Sequence, residues 1–154
     1  KSSAASDVYK RQHVTYTPDA TLSQLKRSDG SIGTVAIKRV GLKAKVYEGA
    51  TSDSMSKGAG HYASSSLWSG NVGLFGHNRG GSVAHFAELK DVKVCDTVTY
   101  TTNLGTKTYS VTFVGSISNT DYSYLNETGD NRITMITCIA NQPSLRLCVQ
   151  AVEI

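Results

Sequence analysis

The chain has 154 residues, a length that fits one domain able to bury its own hydrophobic core without a disulfide or a structural metal. Its net charge of +4 comes from 16 basic and 12 acidic side chains. No basic cluster is interleaved with aromatic residues, which argues against a nucleic-acid-binding protein. Two prolines, 14 glycines and many Thr, Ser, Val and Tyr residues favour a mostly β domain.

The first 27 residues are polar, with a Ser-Ser-Ala-Ala-Ser run followed by mixed charges. We expect residues 1–27 to be a disordered tail or a remnant of cloning, with at most a short helical turn near 21–26. The folded domain is expected over residues 28–154. No run of 18 apolar residues is present, so the given sequence is not expected to contain a membrane-spanning helix.

Alternation of apolar and polar residues, interrupted by clusters of Gly, Ser and Asn, predicts short strands joined by turns. A short helix capped by Thr51 or Ser52 is expected inside the Gly- and Ser-rich loop at 48–66. The number and spacing of the strands favour an all-β fold, an eight-stranded closed or nearly closed barrel. The predicted strands include residues 32–37, 40–47, 71–76, 97–102, 107–118, 132–138 and 145–154.

Cys138 and Arg146 stand at the facing ends of the last two predicted strands, eight residues apart. If these strands are neighbours, the thiol and the guanidinium converge. His77 ends another strand, directly before a glycine-rich loop. Such a set can attack a carbonyl carbon through a thiolate, carry a proton on the imidazole and stabilise an oxyanion with the arginine. On the residues alone, a buried structural Cys138 stays open as the alternative, since free cysteines are among the most buried residue types.

The other two cysteines carry weaker signals. Neither a Cys-x-x-Cys pair nor a Cys/His metal spacing is present, which argues against a structural zinc site. Cys95 is expected to be structural. Cys148 shares a strand face with Arg146, and it is either a buried small residue or one that affects the redox sensitivity of the site.

Three sequence blocks resemble the sortases, the cysteine transpeptidases of Gram-positive cell surfaces. The blocks are Val-Tyr-Glu-Gly at 46–49 with Gly-Ala-Gly-His-Tyr at 58–62, Gly-Asn-Val-Gly-Leu-Phe-Gly-His-Asn at 70–78, and Thr-Met-Ile-Thr-Cys at 134–138 with Arg146 behind it. The resemblance covers roughly residues 32–154. It implies a sortase-type β-barrel, a catalytic domain over 28–154, and His77, Cys138 and Arg146 as the catalytic residues.

The resemblance also implies a reaction. A sortase cleaves an LPxTG-like sorting signal between Thr and Gly through a thioacyl intermediate on the cysteine, and passes the protein to an amine of the cell wall. The expected partners are therefore surface proteins with such signals and the amine of a peptidoglycan precursor. The expected location is the extracellular face of the cell membrane, with a transmembrane anchor upstream of Lys1. No cofactor is implied.

Three residues are candidates for substrate binding. The family pattern implies that Thr137, next to Cys138, lines the substrate groove, and Asn78 follows His77. Trp68 is either a substrate platform or an aromatic of the core or rim. His61, in the Gly-His-Tyr block, is expected to pack under the site, whereas His13 and His85 are expected at the surface. The family calcium site is not carried over, since the acidic residues Asp121, Glu127 and Asp130 are better explained as solvated loop charges.

Differences from the sortase pattern indicate which sortase class this sequence most resembles. The chain has Met135 where sortases have leucine, and it lacks the proline that often follows the cysteine. An Asp-Pro-aromatic lid motif, typical of the pilin-polymerising class, does not occur, and the loop before Cys138 is too short for the helical insert of the haem-acquisition class. The sequence most resembles the compact class D or class E sortases, with class A next.

Two other functions remain open at this stage. One is a cysteine peptidase that uses water in place of an amine. The other is a non-catalytic β-module that binds cell-wall polymers, with Cys138 merely buried. An L,D-transpeptidase is disfavoured because that family places its arginine two residues after the cysteine, whereas here the separation is eight.

Overall fold

A closed barrel of eight strands dominates the computed structural model, which describes residues 19–154. Hydrogen bonding closes the barrel in the order β1-β2-β3-β4-β7-β8-β6-β5. The prediction of an all-β, eight-stranded barrel is confirmed. The strands are β1 (Gly33–Ile37), β2 (Leu42–Glu48), β3 (Ala59–His61), β4 (Asn71–Phe75), β5 (Thr97–Thr102), β6 (Gly105–Ser118), β7 (Arg132–Ile139) and β8 (Gln142–Glu153).

Two short α-helices and four 3-10 turns connect the strands. The helices are α1 (Leu22–Leu25) and α2 (Ser52–Lys57), and the 3-10 turns are Lys38–Val40, Gly81–Val83, Ala87–Asp91 and Ser123–Leu125. Thr51 caps α2, as predicted, because its hydroxyl oxygen accepts a hydrogen bond from the Ser54 amide at 3.2 Å. None of the helices in residues 19–154 combines the length and the apolar character needed to cross a membrane.

The short helical turn predicted near residues 21–26 is present and packs on the barrel. Helix α1 lies inside the segment predicted as a tail, and Thr21 and Gln24 form a capping box at its start. Leu25 is fully buried in the barrel core. The segment 19–27 therefore belongs to the same folded unit as residues 28–154, while residues 1–18 lie outside the described residues.

The barrel interior is apolar, and the strands that line it show the expected alternation of buried and exposed positions. In β1 and β2 every second residue is buried. Strand β3 breaks this pattern, because all three of its residues are buried and it pairs in parallel with β2. The sequence analysis assigned these residues to a loop, and that assignment is wrong.

Three adjacent strands bring the sequence-predicted catalytic residues to one end of the barrel. Strands β4 and β7 run parallel, with Phe75 opposite Ile136, and β7 pairs with β8 in antiparallel orientation. His77 follows the end of β4, and Cys138 lies near the end of β7. The two residues therefore leave the sheet side by side.

Candidate active site

Cys138 and Arg146 are direct partners across β7 and β8, as the sequence analysis required for the two side chains to converge. Residues 133–137 of β7 are all buried, and Cys138 is the first exposed position at the strand end. The alternative that Cys138 is a buried structural cysteine is thus excluded by its position. An exposed thiol opposite a guanidinium is a plausible nucleophile with a hydrogen-bond donor beside it.

Arg146 owes its position to a bulge in β8. The regular register would place residue 145 opposite Ile139, but Gln142 is there instead, so residues 143–145 have no partner in β7. Two carbonyls of this bulge hold the guanidinium: Nη1 donates to Pro143 O at 2.9 Å and to Leu145 O at 2.8 Å. Within residues 19–154, Nε and Nη2 have no protein acceptor, so these donors are available to a bound molecule.

Backbone contacts place His77 beside the thiol. The Gly76 amide donates to Ile136 O at 3.2 Å, and the Phe86 amide donates to His77 O at 2.8 Å. The buried Phe86 ring packs so closely on Gly76 that a Cβ there would lie 2.6 Å from it. Glycine is therefore required before His77. Within the described residues, the His77 imidazole has no hydrogen-bond partner.

Asn78 and Thr137, both predicted to bind substrate, also connect β4 to β7. The Asn78 side chain donates from Nδ2 to Cys138 O at 2.6 Å, and the Thr137 hydroxyl donates to Gly76 O at 2.7 Å. Thr137 is only 3% exposed. These bonds give both residues a role in fixing the His77 loop to the end of the cysteine strand, and contact with substrate stays a prediction.

A cavity of about 290 Å³ collects the three predicted catalytic residues. It lies between the end of β4, the ends of β7 and β8, and helix α2. Apart from His77, Cys138 and Arg146, its lining is mainly apolar and consists of Ala50, Met55, Phe75, Gly76, Asn119, Tyr122, Ile136 and Thr137. The arrangement offers a nucleophile, a proton carrier and an oxyanion donor on the wall of a single groove.

Tyr122 is a cavity residue that the sequence did not point to. The Tyr122 side chain is 55% exposed, and its ring lies 6.0 Å from that of Tyr62. Buried hydrogen bonds secure the loop, since the Asn71 amide donates from Nδ2 to the carbonyls of Tyr124 and Asn126, both at 2.9 Å. The loop thus presents an exposed aromatic ring from a fixed base.

Trp68 is not brought to this site. It lines a different cavity together with Asp19 and Leu104, and its ring packs 5.9 Å from that of Tyr100. Of the two alternatives, the structure therefore supports an aromatic of the core or rim over a substrate platform beside Cys138.

His61 lies in the barrel wall and serves a structural purpose. It is 1% exposed, and its Nδ1 and Nε2 lie 2.7 Å from Glu48 Oε1 and 2.8 Å from Ser66 O. Both ring nitrogens therefore face oxygen atoms of the protein. The contacts fix the loop between β3 and β4, consistent with the expected packing role.

The remaining cysteines lie outside this cavity. Cys148 is buried opposite Ile136, and burial raises the pKa of its thiol to about 12. Cys95 is exposed in the turn before β5. Among residues 19–154, no group of three or more His, Cys, Asp or Glu side chains is arranged to hold a metal ion.

Comparison with known proteins decides the family. The profile of the Sortase domain matches residues 35–154. The chain belongs to the sortase family. Sortase A of Listeria monocytogenes is 30% identical over 111 residues, which are 71% of this chain and 50% of that protein. Sortase A of Bacillus anthracis is 26% identical over 110 residues, 71% of this chain and 52% of that protein. The chain thus spans about half the length of the curated relatives it matches.

Solved structures of sortases share the barrel. Sortase A of Listeria monocytogenes superposes with a TM-score of 0.74 at 26% identity, over 82% of this chain and 88% of that one. Sortase C1 of Streptococcus agalactiae superposes with a TM-score of 0.80 at 24% identity, over 90% of this chain and 76% of that one. At 24% identity, the comparison with sortase C1 shows a shared fold only, and both comparisons agree with a sortase-type barrel.

Proposed function

We propose that this sortase domain is a cysteine transpeptidase that cleaves an LPxTG-like sorting signal between Thr and Gly and transfers the acyl part to a cell-wall amine. The observation that carries the proposal is the shared cavity of His77, Cys138 and Arg146, with Cys138 and Arg146 directly opposite each other. Family membership supports the same reaction class.

In the first half-reaction, the Cys138 thiolate attacks the carbonyl carbon of the scissile Thr-Gly bond. The free donors of Arg146 bind the negative charge that develops on the carbonyl oxygen. When the tetrahedral intermediate collapses, the C–N bond breaks and His77 gives a proton to the departing amine. The product is a thioester between the threonine carbonyl and Cys138 Sγ.

In the second half-reaction, an amine attacks the thioester carbon. The new C–N bond forms, the C–S bond breaks, and the proton lost by the nitrogen passes to His77. The same arginine donors serve both tetrahedral intermediates because the oxyanion develops at the same place. Cys138 returns to its starting state.

The cavity suits an extended peptide with an apolar side chain. Met55, Phe75 and Ile136 supply apolar lining, and the exposed Tyr122 ring flanks the groove. A peptide bound there would present a carbonyl to a thiol at the strand end. The sorting-signal assignment itself rests on the family, and the groove is compatible with it.

The proposal also includes the sortase class and the cellular location of the domain. We place the domain with the compact class D or class E sortases, which is supported by the loop before β7: residues 119–131 carry only the 3-10 turn Ser123–Leu125. Its partners would be surface proteins with LPxTG-like signals, at the extracellular face of a Gram-positive cell membrane, with an N-terminal transmembrane segment as the anchor. A peptide library that varies each position of the signal tests the class.

The transfer of a fluorescent LPxTG peptide to triglycine, followed by mass spectrometry, tests the reaction. We expect a transfer product with the wild-type protein and none with Cys138→Ala. The matched control is Cys95→Ala, which removes another exposed thiol from outside the cavity and should keep activity. Turnover by Cys138→Ala would refute the proposal, and a wild-type protein that yields only the hydrolysed peptide would identify a peptidase.

A further inference from the structure

A second cavity, of about 210 Å³, opens on the other side of Cys138. Thr137 and Cys138 line both this cavity and the larger one described above, and no other residue does. Cys138 therefore stands between two spaces. The other residues that line the second cavity are Asn78, Arg79, Phe86, Ala87, Lys90, Ala140 and Leu147.

The second cavity is cationic at its rim. The second cavity has an apolar floor that includes Phe86 and Leu147, with Arg79 and Lys90 at its exposed rim, and no acidic residue lines it. Lys90 lies 3.8 Å from Asp91, but both side chains are largely exposed and such a pair is weak. Arg79 forms no ion pair within the described residues. The rim therefore carries a net positive charge.

We infer that the second cavity receives the acceptor of the transfer reaction, and that this acceptor is an amine that also carries a carboxylate. The inference rests on the function proposed above. Two substrates must reach one sulfur, and the space around Cys138 is divided in two. The larger cavity contains Arg146 and suits the acyl part, which leaves the smaller one for the amine. Arg79 and Lys90 match the charge of a carboxylate, and a guanidinium can bind one with two parallel hydrogen bonds.

The direction of attack follows from this division. The neutral amine nitrogen approaches the thioester carbon from the Arg79 side while the acyl chain stays in the larger cavity. As the C–N bond forms, the C–S bond breaks, Sγ leaves as thiolate, and the nitrogen gives its proton to His77 on the far wall. Charge attraction at the rim raises the occupancy of the acceptor without taking part in bond making.

Two acceptors of equal length test the effect of the carboxylate charge while the attacking amine stays the same. Triglycine carries a terminal carboxylate, and triglycinamide replaces it with a neutral amide. The measured quantity is the fraction of thioester that is transferred to the amine and not hydrolysed, so that any general loss of activity cancels. We expect the wild-type protein to use triglycine about fivefold more efficiently at low salt, with the preference shrinking as salt screens the charges.

The double variant Arg79→Gln/Lys90→Gln should lose this preference. Lys38→Gln/Lys43→Gln is the matched control, since it removes the same charge from exposed positions outside both cavities and should keep the preference. Equal use of the two acceptors by the wild-type protein would overturn the inference. So would a preference that survives in the Arg79/Lys90 variant. Failure of the proposed function is distinct, because it appears as hydrolysis with no transfer to either amine, or as turnover by Cys138→Ala.

Discussion

Replacement of Thr137 by valine should loosen the connection between β4 and β7 that positions His77 and Cys138. The Thr137 hydroxyl donates to Gly76 O at 2.7 Å, and at 3% exposure water cannot easily replace it. Valine has nearly the same shape as threonine, so the substitution removes the hydrogen bond without opening a cavity. It leaves the buried Gly76 carbonyl without this donor.

The size of the effect follows from that unmade bond. A buried acceptor that loses its partner costs about 1–3 kcal/mol in the free energy of unfolding. With a urea m-value of about 2 kcal/mol/M, the unfolding midpoint should fall by roughly 0.5–1.5 M. A loss of about 1.4 kcal/mol in the alignment of imidazole and thiol would lower kcat/KM for peptide transfer about tenfold.

Urea unfolding and the peptide-transfer assay measure the two effects on the same preparations. Thr137→Ser is the control, since it keeps the hydroxyl and should stay close to the wild type in transfer activity. If Thr137→Val keeps the wild-type stability but raises KM for the sorting peptide, the hydroxyl contacts substrate, as the sequence analysis predicted. That result would refute the assignment of this hydrogen bond to the alignment of the site.

Three further changes test other parts of the structure. Gly76→Ala places a Cβ 2.6 Å from the buried Phe86 ring, so thermal melts should show a loss of about 1–3 kcal/mol together with reduced transfer; an unchanged protein would contradict the close packing. Asp19→Ala removes the acceptor of four backbone amides, those of Ala20, Leu67, Trp68 and Ser69, and should cost about 1 kcal/mol in urea unfolding, whereas no cost would show that segment 19–27 adds no stability. Iodoacetamide at pH 8 should modify Cys138 well before Cys148, whose pKa is raised by burial to about 12, and equal rates by mass spectrometry would contradict the burial of Cys148. The folded protein keeps a proton on Cys148 that the unfolded chain releases near pH 9. The free energy of unfolding should therefore fall as the pH rises above 9.

The barrel could be predicted where strands alternate on a half-buried sheet. Strands β5 and β6 show this alternation around a turn at 103–104, and the Thr51 cap carries its own signal. Strand β3 offers no such signal, because it has three residues and all are buried. Helix α1 was predicted as a short helical turn near residues 21–26, but a single buried leucine in a polar segment does not raise the apolar periodicity of the chain, so its packing on the core was not predicted.

Some residues of the candidate site could likewise be predicted from the sequence, and others could not. His77, Cys138 and Arg146 were predicted because the residue types and their order point to one chemistry, and they line one cavity. Residues that reach the site through loop geometry were not found, and Tyr122 and Arg79 are examples: nothing in the local sequence indicates which cavity an exposed loop side chain borders. For Trp68 the sequence left two alternatives open, and its position near a motif in sequence did not reveal that it packs elsewhere in space.

The bulge in β8 explains why the eight-residue separation between Cys138 and Arg146 produces a site at all. A tight hairpin would need only a few residues between facing positions, whereas here residues 143–145 are inserted and have no partner in β7. Two carbonyls of that insertion hold the Arg146 guanidinium, and a third, Ser144 O, accepts from the Asn119 amide at 2.9 Å. Asn119 begins the loop that carries Tyr122. The same irregularity therefore orients the proposed oxyanion donor and fixes the loop that borders the peptide groove, so a deletion that restored the regular register would remove both at once.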